Sequence, residues 1–372
     1  MARKLKSDRT LFTATFLLVC VGVVMVFSAS AVLASQNFDQ PDLFLIKQGL
    51  WALLGLSLLA IVMRVDYRTY RNETFVWGLL GLVGAMLVGV VMFGSPVNGA
   101  KRWFGLGGLG IQPSELAKIA CVFFAAMILE RRMHRIDDVT YALAPIALIV
   151  GAAVGLILLQ PDLGTAVSLA LIVGVMVFVA GLPYRYLTGL ILVALPTLYV
   201  LIMSSDYRRR RWESFLDPLA DPLGDGFQAI QAMIAVGTGG VFGRGLMASV
   251  QKLFYLPEPH TDYIYAVIGE EFGLVGTLAV LACFAVIAWR GLQVAKNAQD
   301  AFGAFVALGL TTMIAAQAFI NMSVVLGLLP PKGIPLPLVS NGGSSLLVNL
   351  LGIGILLNIS QHEASQQEAM DG

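Results

Sequence analysis

Ten long apolar runs dominate the 372-residue sequence and constrain its fold more than any motif. They cover residues 11–34, 43–63, 75–93, 113–129, 140–159, 162–181, 187–203, 263–289, 302–326 and 343–359, give or take a few residues at each end. A helix needs roughly 20 apolar residues to cross a hydrocarbon core about 30 Å thick. In lipid the backbone must bond to itself, which leaves helices or closed barrels. Barrel strands alternate polar and apolar positions, and these runs do not. The expected fold is an all-α polytopic membrane protein with about ten transmembrane helices, forming one integral-membrane domain over 1–372. A long extracytoplasmic loop, about 204–262, separates spans 7 and 8. Composition agrees: 58% of residues are hydrophobic and 13% charged, where a soluble domain carries about 25% charged residues. Mean hydropathy is +0.81.

The basic segment Met1-Ala-Arg-Lys-Leu-Lys-Ser-Asp-Arg9 before the first run imitates a secretion signal. The run that follows exceeds the roughly 7–15 apolar residues of such signals, so it is expected to stay as span 1. Cys20, Cys121 and Cys283 all lie inside apolar runs without metal spacing and read as small buried hydrophobes. Thirteen Lys and Arg fall in the short loops on the amino-terminal side of the spans and four on the other. By the positive-inside rule the richer side is cytoplasmic, and an even span count then places both termini there. Arg208 to Arg211, in the long loop, run against this count. Long loops weigh less in the rule, and the loop is placed outside.

Four polar segments then share the outer side: 98–118, 160–165, 204–262 and 330–345. Pro113 suits the first turn of a helix, where its missing N–H costs nothing. Glu115 and Lys118, three residues apart, share a helix face. Ionisable groups within a span point to function, although the two can also pair and lock helix packing. Asp162 after Pro161 is either a site carboxylate or a helix-start group favoured by the dipole. Asp262 is either a general base, which must come within about 2.6–3.2 Å of the proton it takes, or a helix N-cap. The arginine run has headgroup attraction as its simpler role. Phosphate binding through guanidinium groups is the alternative. Gly237-Thr-Gly-Gly240 and Gly243-Arg-Gly245 follow no strand and are weak as phosphate loops.

Lys101-Arg102-Trp103, Gln112-Pro-Ser-Glu-Leu-Ala-Lys118, Gln160-Pro-Asp-Leu-Gly-Thr165, Leu256-Pro-Glu-Pro-His-Thr-Asp262 and Pro335-Leu-Pro-Leu-Val-Ser-Asn-Gly-Gly-Ser-Ser345 occur in this order along the chain. Carried by these motifs, the sequence resembles the SEDS family (shape, elongation, division and sporulation) over nearly its whole length. Val24 to Ser30 and Pro331-Lys-Gly333 are more similar to its division member, FtsW, than to its elongation member, RodA. Asn341 stands where the family motif usually has tyrosine, which puts any role of that aromatic in doubt.

The resemblance implies a peptidoglycan glycosyltransferase of the bacterial inner membrane that polymerises lipid II at the outer leaflet. Expected partners are a class B penicillin-binding protein and other membrane proteins of the division or elongation machinery, with no nucleic acid. Asp262 takes the position of the family's essential aspartate, and Glu115 and Lys118 those of its Glu and Lys. Lys101, Arg102, Trp103, Gln160, Asp162, Arg208, Arg210, His260, Thr261, Ser340, Gly342, Gly343 and Ser344 are expected to bind substrate or support the site. The donor is α-linked and the product β-linked, so one inverting step needs a base and no protein nucleophile. No organic cofactor is expected. A divalent cation, Mg²⁺ or Mn²⁺, would suit the diphosphate, although no dedicated metal cluster is visible. Two other functions fit a multi-span chain: lipid II flipping, which would place key polar groups near the midplane, and a scaffold without chemistry.

Overall fold

The computed structural model describes residues 7–97, 100–106, 109–136, 138–253 and 255–370. Its helices are α1 (Arg9–Phe38), α2 (Leu43–Val62), α3 (Glu73–Phe93), α4 (Pro113–Arg132), α5 (Ala144–Leu159), α6 (Leu163–Val179), α7 (Tyr184–Met203), α8 (Asp206–Leu216), α9 (Phe227–Gly239), α10 (Ile264–Asn297), α11 (Ala301–Val325) and α12 (Gly343–Met370). Among the described residues eight helices are long and apolar enough to cross a membrane. They are α1, α2, α3, the stretch Thr140–Leu159 that contains α5, α7, α10, α11 and α12 as far as His362. α4 and α6, which match the other two apolar runs of the sequence, fall outside this set. α4 has 20 residues but carries Glu115, Lys118, Glu130, Arg131 and Arg132, and α6 has only 17.

α4 is the axis of the bundle. Pro113 to Leu129 are buried almost without interruption, packed among α3, α6 and α11. Lipid tails are as apolar as leucine, so close approach rather than water exclusion holds such helices together. Gly309 of α11 shows this: a Cβ there would sit 2.7 Å from Val122 of α4 and from Met176 of α6. Around this axis α10 packs between α1 and α11, and α12 lies along α2. α7 is the exception, since none of its described residues is buried and its main neighbour is α8.

The helical membrane fold is as expected, with two features that the apolar runs do not reveal. Between α3 and α4 the strands β1 (Ser95–Val97), β2 (Ala100–Leu106) and β3 (Leu109–Ile111) form a small antiparallel sheet in the order β1-β2-β3. Trp103 pairs with Ser95, and Phe104 with Ile111. Lys101 to Phe104 has the β-forming aromatics that suit strands, between glycines that suit turns.

The second feature is that residues 204–262, the long connection between α7 and α10, carry structure of their own. α8 and α9 lie within it, and α9 with the turn after it runs down beside α10. Gly239 lies against the carbonyl of Gly269, and Gly243 against that of Glu271. These contacts fall five and seven residues past Ile264, about 8–10 Å along the helix. At this depth α10 is broken: Gly273 has φ 65° and ψ −157°, a conformation open to glycine. The break frees backbone groups, and the inserted turn takes them up. Arg244 and Gly245 donate N–H to the carbonyls of Glu270 and Glu271 at 2.9 Å. Leu274 and Val275 donate to those of Gly240 and Val241 at 2.9 and 3.1 Å. Non-helical backbone at membrane depth is tolerated where protein satisfies it in this way.

Candidate active site

Asp262 lies two residues before α10, in a segment fastened through its backbone. Three consecutive carbonyls are held. That of His260 accepts from the N–H of Asn341 at 2.9 Å, that of Thr261 from Ser340 Oγ, and that of Asp262 from Asn321 Nδ2 at 2.8 Å. Asn321 also binds the carbonyl of Ile334 at 2.8 Å, so α11 ties this segment to residues 334–341. The Asp262 carboxylate itself has no hydrogen-bond partner among the described residues. It is partly exposed. The N-cap alternative fails, because Tyr263 occupies the cap position and no side chain caps the helix.

Protein surrounds the carboxylate closely, and this desolvation raises its pKa to about 6; Arg211 and Arg102 oppose the rise, while Glu258 and Asp162 add to it. A base that titrates just below neutral pH is both ionised and willing to take a proton. A Cβ on Gly333 would stand 3.2 Å from Asp262 Oδ2, so glycine keeps the space beside the carboxylate clear. His260 packs its ring on Phe44 at 4.7 Å, and burial pushes it down to about 4. It is therefore neutral at pH 7 and is no counter-ion for phosphate.

The expected site residues divide by location. Glu115 and Lys118 form a buried pair at 2.9 Å, with side chains 5% and 3% exposed. Lys118 also donates to Gln317 Oε1 at 2.8 Å, and Gln317 Nε2 donates to the carbonyl of Pro335 at 3.1 Å. The Lys118 charge is thus committed inside the protein, and its link to Asp262 runs through α11, where Gln317 and Asn321 are one turn apart. Asp162 caps α6, accepting from Thr165 N at 3.1 Å and Thr165 Oγ1 at 2.8 Å. The helix-start alternative therefore holds for it, and its charge still acts on Asp262. Gln160 donates to the carbonyl of Leu87 at 3.3 Å.

Arg102 Nε donates to the Gln160 carbonyl at 3.1 Å and its Nη2 to that of Pro161, which docks the sheet on the α5–α6 turn. Lys101 is exposed and Trp103 half-buried. Thr261 Oγ1 turns back to the carbonyl of Glu258 at 3.1 Å. Ser340 Oγ accepts from Leu336 N at 2.8 Å. Gly342 accepts from Leu346 N at 2.8 Å as α12 begins. Gly343 leaves room for the Trp51 ring, which a Cβ would meet at 2.1 Å. Ser344 is buried, its hydroxyl without a partner. Residues 340–344 thus chiefly hold the site together.

In the arginine run the structure brings Arg211 to Asp262, rather than Arg208 or Arg210. Arg210 pairs outward with Asp225 at 3.3 Å. Arg211 lies 4.6 Å from the centre of the Tyr207 ring and donates to the carbonyl of Pro331 at 3.3 Å. Tyr207 and Arg211 are four apart on one face of α8, a spacing visible in the sequence. Gln317 and Asn321 belong to no motif of the sequence, and Gly333, part of Pro331-Lys-Gly333, gains its place beside Asp262 only in the fold. The two amides are polar residues in an apolar span, which was their available signal. Among the described residues no three His, Cys, Asp or Glu side chains gather to hold a metal.

The sequence profile described as cell cycle protein, covering FtsW, RodA and SpoVE, matches residues 8–365. A protein of Geobacter metallireducens named "Probable peptidoglycan glycosyltransferase FtsW" is 45% identical over 344 residues, covering 92% of each chain. Stage V sporulation protein E of Bacillus subtilis is 42% identical over 360 residues, covering 97% of this chain and 98% of the relative. Among solved structures, one described as "Structural coordination of polymerization and crosslinking by a peptidoglycan synthase complex" superposes with a TM-score of 0.79 at 32% identity, over 96% of this chain and 99% of that one. The rod shape determining protein RodA of Thermus thermophilus gives 0.72 at 30% identity, over 97% and 98%. The multi-pass helical fold, the motifs that meet around Asp262 and these matches agree, and the chain belongs to the FtsW/RodA/SpoVE family.

Proposed function

We propose that this chain is a peptidoglycan glycosyltransferase that polymerises lipid II at the outer edge of the bacterial inner membrane, with both termini in the cytoplasm. The observation that carries the reading is the Asp262 carboxylate, fastened through its backbone, without a hydrogen-bond partner among the described residues and raised to about 6 by burial. The acceptor 4-hydroxyl attacks the anomeric carbon of the donor sugar, and its proton passes to Asp262. The bond from that carbon to the diphosphate oxygen breaks, and polyprenyl diphosphate leaves. Attack and departure on opposite faces account for the α-to-β inversion. Arg102, Arg211 and Lys101 are the cations at this end that can receive the departing charge, since the two arginines keep further N–H groups beyond the carbonyls they bind. No step is assigned to a metal. The polyprenyl tail must stay in lipid, and the catalytic carboxylate must therefore sit at the edge of the bilayer.

A class B penicillin-binding protein is the proposed partner. The solved complex above is described as coordinating polymerisation with crosslinking, which supports a paired synthase here. Flipping is the less favoured reading. A transporter keeps broken-helix ends available for cargo, whereas those at Gly273 are bonded to the inserted turn. The test is polymerisation of lipid II by purified protein with its partner. Asp262→Asn is expected to lower the rate by at least about a hundredfold. Full activity in that variant would remove the base from the mechanism, and translocation in liposomes without polymer would favour flipping.

A further inference from the structure

Below Asp262 lies a second buried polar group that the proposed chemistry does not use. Glu271 of α10 is fully buried, as nearly are Lys252 and Ser28. Lys252 Nζ donates to Glu271 Oε1 at 2.7 Å and to Ser28 Oγ at 3.0 Å. Ser28 Oγ donates to Glu271 at 2.7 Å (Oε1) and 2.9 Å (Oε2). Three parts of the chain meet here: span 1, the end of the inserted turn, and α10 two residues before its break. The neighbouring Glu270 points elsewhere. Its carboxylate accepts from Val250 N at 2.9 Å, Gln251 N at 3.2 Å, Ser249 Oγ and Arg244 Nη1 at 3.2 Å. Consecutive glutamates thus grip the two sides of residues 249–252.

Stability alone is a weak reason for this arrangement. Replacing a buried ion pair by apolar side chains of similar size is often neutral or stabilising, and the best-attested use of such a pair is to fix registry. What is registered here is the stretch from Lys252 to Asp262. Its upper end is held by Asn341, Ser340 and Asn321 at the carbonyls of 260–262. Its lower end is held by Lys252 between α1 and α10.

We propose that Ser28, Lys252 and Glu271 are positioning residues for polymerisation: together they set the height of the 252–262 segment against α1 and α10, and so where Asp262 meets the acceptor hydroxyl. The proposal rests on the reading of Asp262 as the base and goes beyond it by naming what places that base.

The experiment compares the full-length parent protein with K252M/E271L, Ser28→Ala and Asp262→Asn, all with the partner. Unfolding midpoint, kcat and KM for lipid II are measured for each. The apolar pair is expected to unfold no earlier than the parent, to keep its KM, and to lose more than about tenfold in kcat, as a displaced reacting group does. A parental kcat in that variant overturns the proposal. If the apolar pair does not fold, Ser28→Ala decides, since it leaves the ion pair in place. A lower kcat at an unchanged midpoint supports positioning; an unchanged kcat, or a midpoint that falls together with kcat, overturns it. Asp262→Asn separates the two ideas. If it is inactive while the apolar pair is fully active, only the positioning role fails. If it is fully active, the base assignment fails and the positioning role with it.

Discussion

A carboxylate near two arginines is ordinarily held ionised far below neutral pH, because an opposite charge favours the charged form. Asp262 goes the other way because desolvation outweighs Arg211 and Arg102, with Glu258 and Asp162 adding to the rise. The sign sets the pH dependence. The base must be ionised, so polymerisation should rise with pH through about 6 and level off above it. Stability runs oppositely: the folded state holds this proton more tightly than the unfolded one, so the contribution of Asp262 falls as pH climbs from 3.8 to about 6. Arg211→Ala removes a charge that holds the pKa down and should move the acid limb of the kcat profile to higher pH, while Arg210→Ala, paired outward with Asp225, should leave it in place. A pH-rate series on the three proteins checks this. The family motif pointed to the carboxylate, but from the four adjacent arginines Arg208 and Arg210 were expected at the site, and Arg211 is the one that acts on Asp262. The choice depends on which face of α8 turns inward, and that is set by packing.

At the scale of elements, α4 shows how a charged helix can occupy the centre of a membrane bundle. Its five ionisable residues keep it from reading as strongly apolar, yet Glu115 and Lys118 neutralise each other at 2.9 Å. Lys118→Met leaves a carboxylate buried without its partner and should cost about 3–5 kcal/mol. Glu115→Leu combined with Lys118→Met should recover most of that loss, measured by unfolding in detergent. The helix bounds of the spans were legible because hydropathy over a long run averages out local exceptions. α9 was not legible. It is 13 residues long, too short to announce a span, and it dips beside α10 only because a broken helix offers free backbone groups there. The small sheet was missed for a similar reason, since two of its strands have three residues each.

Across the whole molecule, the succession of helices carries motifs far apart in the chain to one end of the bundle, where Arg102, Asp262 and residues 333–341 meet. The order of those motifs needed only the sequence. The interior links, from Lys118 through Gln317 and Asn321 to Asp262, needed packing, because nothing local says which apolar span an isolated amide will face. The division of labour at Asp262 has an outcome for the cell. Its carbonyl fastens the segment and its carboxylate reacts, so exchanging the acid for an amide spares the architecture. Cells making Asp262→Asn alongside the parent protein should therefore grow worse as its dose rises, since an intact but idle copy occupies the partner and crowds out working pairs. Asn321→Ala, which loosens the fastening, should be silent in the same background, and growth plotted against expression level tells the two apart.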